Sequence, residues 1–187
     1  MAAPARINTL NITGKFQLNK AMSDKTDEIL RLQGVGWIPR KAIQASNVLL
    51  SIDHYSEDGV EKIDIEQSLV GGGAAGGWEY RVLDWQDRPQ EDGIFGPVIA
   101  KFRRTTLDEI TDPFLKEGWT EETQEHGILN GSARSNTEKS GISWFADQVW
   151  GFEIVDGEKR YTRRVVFKGP NEEKICVRLV YDYKGLV

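Results

Sequence analysis

NVLLSIDHY (47–55), SEDG (56–59) and VEKIDIEQSL (60–69) decide the fold. Apolar residues fall on every second position on both sides of a four-residue turn rich in Asp and Gly. That pattern is a half-buried strand, a hairpin and a second half-buried strand. The same period of two continues toward the C-terminus in WEYRVLDW (78–85), FGPVIAKFRR (95–104), GILNGSARSNTE (127–138), ISWFADQVWGFEIV (142–155), KRYTRRVVFKG (159–169) and EKICVRLVYDY (173–183). The connectors GGGAAGG (71–77), QEDG (90–93), VDGE (155–158) and GPNE (169–172) place Gly, Asp or Asn where hairpins want them. GGGAAGG is not a phosphate loop, because no Lys-Ser/Thr and no helix pattern follow it.

Working outward toward the N-terminus, ITGKFQLN (12–19) reads as a first strand. Ser23 and Asp24 are N-cap candidates for a helix over 23–33, ended by Gly34. VGWIPRKAIQA predicts a second short helix over 36–45, with Pro39 tolerated in its first turn. With a short strand near 118–124, the chain holds about nine or ten antiparallel strands. Consecutive hairpins in that number must close or sandwich, since open edges aggregate. The expected architecture is all-β: one closed up-and-down barrel over residues 1–187, with a helix-turn-helix at one mouth.

Composition narrows the function. The chain has 187 residues, 39% hydrophobic and 28% charged, with no run of about 18 apolar residues for a spanning helix. Its first fourteen residues lack the basic start and apolar core of a secretory signal. The expectation is a cytoplasmic protein without membrane insertion. A net charge of −5 argues against a nucleic-acid partner, whose phosphates demand a basic face. One cysteine, Cys176, and two histidines, His54 and His126, argue against disulfides and a metal centre. Neither histidine has a partner at catalytic spacing, and both read as surface or strand-end residues. No nucleotide fingerprint or nucleophile elbow is present, so no cofactor is expected. Six Trp, five Tyr and seven Phe supply flat apolar faces that suit a hydrophobic small-molecule ligand.

Three segments carry a resemblance. Gly14-Lys15-Phe16-Gln17-Leu18 resembles the opening strand of intracellular fatty-acid-binding proteins. Leu32 to Lys41 resembles their second-helix segment, and Glu153 to Gly157 with Cys176-Val177-Arg178 resembles their last strands. The chain therefore resembles the lipocalin-like (calycin) group. That family holds a fatty-acid carboxylate with two arginines and a tyrosine inside the barrel. The resemblance puts its last-strand arginine on Arg178, but the tyrosine falls on Val180 and the other arginine on Phe152. An ordinary fatty acid is therefore disfavoured. The alternation Val177, Leu179, Tyr181 conflicts with this placement, because an apolar set inside turns Arg178 outward. In size and architecture the chain is also similar to small fungal natural-product cyclases with lipocalin-like barrels, hetero-Diels–Alderases among them.

Two functions follow from this reading. One is a cofactor-free cyclase or isomerase that folds a hydrophobic intermediate and brings its reacting ends together. The other is a carrier that only shields its ligand. Arg178, Arg81 and Tyr80 are the expected donors to charge developing on a ligand oxygen. Trp78, Trp144, Trp150 and Phe152, with Glu66, Tyr161 and Arg163, are the expected ligand-lining residues. Oligomeric state is not legible.

Overall fold

The computed structural model describes residues 1–71 and 76–187. Residues 72–75, the centre of the glycine-rich connector, lie outside the described residues. Ten strands form one antiparallel sheet: β1 (Gly14–Leu18), β2 (Asn47–Glu57), β3 (Val60–Val70), β4 (Gly77–Val82), β5 (Arg88–Asp92), β6 (Gly96–Thr105), β7 (Ile128–Ser135), β8 (Phe145–Val155), β9 (Glu158–Lys168) and β10 (Lys174–Gly185). The order is β4-β3-β2-β1-β10-β9-β8-β7-β6-β5. Only the β1–β10 pairing joins strands distant in sequence; every other neighbour is the next strand along. The sheet curls into a nearly closed barrel whose two ends are β4 and β5. The connector between them stitches the seam: Leu83 N–H donates to Glu61 O at 2.9 Å and Trp85 N–H to Phe102 O at 2.8 Å.

Helices α1 (Asp27–Leu32) and α2 (Trp37–Ala45) fill the β1–β2 connection as the sequence predicts, α1 shorter than 23–33. Ser23 and Asp24 do not cap α1. Their side chains accept the N–H groups of Val180 and Arg178, which ties the helical pair to β10. Pro39 lies in the first turn of α2, where its missing N–H costs nothing. Two expectations are corrected. QEDG belongs largely to strand β5, a short proline-bearing sheet end of the kind that tolerates Pro89. The expected strand near 118–124 is not one: α4 (Glu121–His126), capped by the Thr120 hydroxyl, occupies it, preceded by α3 (Pro113–Lys116).

The α3–α4 segment forms a second layer on the outer face of β8 and β9. Ile110, Leu115 and Trp119 pack there against Ile128, Val149 and Val166. Beneath it lies a buried ion pair, in which Arg164 Nε donates to Glu153 Oε1 at 2.7 Å and Arg164 Nη1 to Phe114 O at 3.0 Å. Gly118 (φ +83°) is needed here, since a Cβ would stand 2.8 Å from Arg164 Nη2 and 3.1 Å from Glu153 Oε2.

The N-terminal segment closes the other side of the barrel. Ala3, Ile7 and Ile12 join the interior cluster of Phe16, Ile52, Ile63, Ile65, Phe152 and Tyr161. His54 is not a surface residue: its side chain is 3% exposed and fastens this plug. Its Nδ1 accepts from Ile12 N–H at 3.2 Å, while Nε2 faces Glu61 Oε1 at 2.7 Å. Arg104 reaches the same carboxylate and the Thr9 carbonyl. Burial pushes the Glu61 carboxyl up, but His54 and Arg104 together outweigh it and hold it at about 2.

Candidate active site

The inward face of each strand follows from register. On β3, Ile63 and Ile65 are buried, and they pair with Arg81 and Glu79 of β4. Arg81 and Glu79 therefore point into the barrel. Trp78 and Tyr80 point out, 61% and 57% exposed, stacked on each other at 6.1 Å. The expectation that Trp78 lines the ligand and Tyr80 donates to it assumed that the apolar alternates face inward. β4 inverts that rule because its charged alternates pair with each other and with interior aromatics. Glu66 lies opposite Trp78 and is likewise exposed on the outer face.

On β10 the apolar set wins the interior. Val177, Leu179, Tyr181 and Tyr183 are buried, and Arg178 turns out to Glu153 Oε2 at 3.3 Å, behind the sheet. Tyr181, the neighbour of Val180, thus faces the barrel interior. Strand β9 contributes Tyr161 and Arg163 to the interior, and β8 contributes Gln148, Trp150 and Phe152. Trp144 faces inward as well, but in a separate cluster with Phe167, Ile29 and Leu32 under α1.

These residues converge on Arg81, which is 3% exposed. Its Nε and Nη2 donate to the two Glu79 oxygens at 2.8 and 2.9 Å. Its guanidinium lies 4.1 Å from the Trp150 ring centroid and 5.1 Å from that of Phe102. Gly131 makes this shelf possible, since a Cβ there would stand 2.6 Å from Phe102 and 2.7 Å from Trp150. Arg163 donates through Nε to Gln148 Oε1 at 2.6 Å and lies 5.5 Å from the same Trp150 ring. Tyr161 touches Phe16, Phe152 and Tyr181 at centroid distances of 4.9, 5.6 and 5.7 Å.

The electrostatics suit a donor site. Burial works against the Arg81 charge, but the Glu79 carboxylate outweighs it and raises the guanidinium further. Burial likewise pushes Glu79 up, and Arg81 more than reverses it, so the carboxylate stays ionised. Burial raises both Tyr161 and Tyr181, Arg81 and Arg163 opposing, so both phenols remain O–H donors. Among the described residues Arg81 Nη1 has no hydrogen-bond partner, and a buried donor left so costs about 1–3 kcal/mol. The Glu79 side chain keeps 40% of its surface accessible, while Arg81, Trp150, Phe102, Phe152 and Tyr161 beside it are buried.

A depression of about 490 Å³ lies elsewhere, on the barrel rim between α1, Ile142 and the β9–β10 turn at Asn171 and Glu173. A second, about 250 Å³, adjoins it beside Trp144 and Lys168. Neither is lined by the residues around Arg81. Among the described residues no group of three His, Cys, Asp or Glu is placed to hold a metal, and no helix is long and apolar enough to cross a membrane.

Of the residues expected from the sequence, Arg81, Trp150, Phe152, Tyr161 and Arg163 come together in the barrel interior. Phe102, Gly131 and Tyr181, which the expectation did not include, lie beside them. Tyr181 had a signal, the alternation it shares with Val177 and Leu179; Gly131 had none.

No protein-family model matches the chain. Two curated relatives match it over nearly its whole length. One is a probable pericyclase of Mollisia scopiformis, 29% identical over 189 residues, covering 98% of this chain and 95% of that protein. The other is a pericyclase of Acremonium sp., 27% identical over 194 residues, covering 99% and 98%. Among solved structures, the REP1-NXSQ fatty acid transporter aligns with a TM-score of 0.55 at 15% identity, over 94% of this chain and 98% of that one. A Schistosoma mansoni fatty acid binding protein in complex with arachidonic acid aligns with a TM-score of 0.55 at 13% identity, over 92% and 95%. These likenesses establish the calycin barrel fold. Both resemblances noted in the sequence hold, the one to calycins in fold and the one to fungal cyclases in sequence.

Proposed function

We propose that residues 1–187 form one cytoplasmic calycin domain acting as a pericyclase, an enzyme that folds a hydrophobic biosynthetic intermediate inside the barrel and promotes its cyclisation without a cofactor. The observation that carries this reading is Arg81: a buried guanidinium fixed on Trp150 and by Glu79, whose Nη1 meets no acceptor among the described residues. Full-length similarity to two pericyclases supports the reaction class.

The chemistry asks two things of the protein. The reacting ends of a flexible chain must be held in contact, which removes much of the entropic barrier. In this reading the ligand parts the packed interior cluster of Phe16, Phe102, Trp150, Phe152 and Tyr161, whose side chains become its apolar surroundings. A carbonyl conjugated to a reacting alkene gains negative charge as the new bonds form, and a preorganised donor stabilises it. Arg81 Nη1 is placed to be that donor, with the Tyr181 and Tyr161 hydroxyls as neighbours. Neither role needs a nucleophile or a proton transfer.

The test uses the producing organism. A strain deleted for this chain accumulates the uncyclised intermediate, which is extracted and incubated with and without purified protein. Faster conversion, with one stereoisomer enriched, is the expected result. Identical rate and isomer ratio without the protein would leave a carrier, not an enzyme.

A further inference from the structure

We propose that an apolar part of the reacting molecule takes the space now filled by Ile7 and Ile12, and that residues 3–12 are a displaceable plug through which it enters the barrel. This deepens the proposed function and rests on its placing of the ligand in the interior cluster around Trp150.

The cluster has no room of its own on this side. Ile12, Phe16, Ile52 and Phe152 are fully buried, and Ile63 and Tyr161 are 1% exposed, so no water-sized space adjoins them. A ligand enters only if some of these side chains leave. Phe16, Ile52, Ile63, Phe152 and Tyr161 stand on β1, β2, β3, β8 and β9, each paired on both edges. Moving any of them breaks ladder hydrogen bonds along two edges. Ala3, Ile7 and Ile12 belong to the same cluster but lie outside every strand. Opening the helical pair would not serve instead. Ile29 and Leu32 of α1 pack in the other cluster, with Trp144 and Phe167, so their departure makes room there and not against Trp150.

Most bonds of the plug either travel with it or have ready replacements. Ile7 N–H donates to Pro4 O at 3.0 Å, and Asn8 and Asn11 exchange N–H···O bonds at 3.2 and 3.0 Å, all within the segment. Ala3 N–H donates to Lys159 O at 2.7 Å, a backbone bond to the sheet that opening breaks. The other ties are to side chains: Ile12 N–H to His54 Nδ1, Arg104 Nη2 to Thr9 O at 2.6 Å, and Asn8 Nδ2 to Glu122 Oε1 at 3.3 Å. Releasing them strands no charge, because Glu61 keeps His54 and Arg104, and Glu122 keeps Lys159. Opening also gives water to Thr9 Oγ1, which is buried without a partner among the described residues. Such a pocket belongs to a minor state that its ligand makes dominant.

The probe is Nile red, a neutral apolar dye, and the readout is backbone hydrogen exchange of the full chain with and without it. Saturating dye is expected to speed exchange at Ala3 and Ile12 about tenfold or more, with α1 and α2 unchanged. Shrinking the plug raises the open fraction, so Ile7→Ala/Ile12→Ala should bind the dye about tenfold tighter than wild type. Ile12→Val, a milder change that spares the fold, should shift affinity in the same direction. Ile29→Ala/Leu32→Ala should leave it within about twofold. Dye binding that leaves Ala3 and Ile12 fully protected overturns the proposal, and so does loosening of α1 and α2 in their place. Binding by neither wild type nor the variants overturns it too. If the conversion assay shows cyclisation while Ala3 and Ile12 stay protected in the presence of the intermediate, this inference alone fails. A plug that opens for the dye in a protein that cyclises nothing supports it and removes only the catalytic reading.

Discussion

Arg81→Met slows cyclisation about a hundredfold and weakens ligand binding far less. Removing a preorganised donor to a developing oxyanion costs on the order of 3 kcal/mol in the transition state. The ground-state carbonyl carries less charge, so the same donor matters less to affinity. Arg81 is held against rearrangement by Trp150 at 4.1 Å, Phe102 at 5.1 Å and both oxygens of Glu79, so its loss is not replaced by a neighbour. The substitution also strands the Glu79 carboxylate. The double variant Glu79→Gln/Arg81→Met removes that complication: it restores the charge balance but not the donor, and should stay slow. Single-turnover rates and quenching titrations on the same preparations separate the two effects. A rate loss matched by an equal affinity loss would show that Arg81 binds without catalysing.

Glu153→Ala destabilises the fold by about 3–5 kcal/mol, read from the urea midpoint. The cost comes from what remains. Arg164 has a side chain 8% exposed, boxed between the Phe114 and Trp119 rings and the Phe114 carbonyl, and it cannot leave or neutralise itself. Arg178 makes the contrast: its side chain is 36% exposed, so Arg178→Ala should cost no more than about 1 kcal/mol. A loss below about 1 kcal/mol for Glu153→Ala would mean that water enters beneath α3 and α4 and that the layer is loosely held. The same pair backs the wall of the proposed site. Glu153 is the neighbour of Phe152 on β8, and Arg164 adjoins Arg163 on β9, so the outer ion pair and the inner site share two strands.

The barrel could be read from alternation alone because a strand half-buried in a closed sheet must repeat every two residues, as 47–55 and 60–69 do on either side of their turn. The helical layer could not. Residues 107–126 cover the outside of β8, so Val149, Gly151 and Glu153 are buried on what alternation treats as a solvent face. A strand buried on both sides loses its period, and the segment covering it has no period of its own to announce. The site was half legible for a related reason. Hydrophobic alternation placed Trp150, Phe152 and Tyr161 correctly, and failed on β4, where an internal ion pair makes the polar face the buried one. It also overruled motif matching at β10: Tyr181, not Arg178, faces the barrel interior, because one residue of register inverts every side chain. Phe102 and Gly131 come from β6 and β7, and only the β6–β7–β8 ladder, with Phe102 opposite Gly131 and Gly131 opposite Gln148, puts them beside Trp150.

The central claim is that the reacting molecule sits inside the barrel against Arg81. The most direct measurement is a crystal structure with the product of the conversion assay bound. The account predicts electron density for that product on the Trp150 face, with an oxygen within hydrogen-bond distance of Arg81 Nη1. Density confined to the rim depression between α1 and the β9–β10 turn, with Arg81 Nη1 still unpartnered, would contradict it.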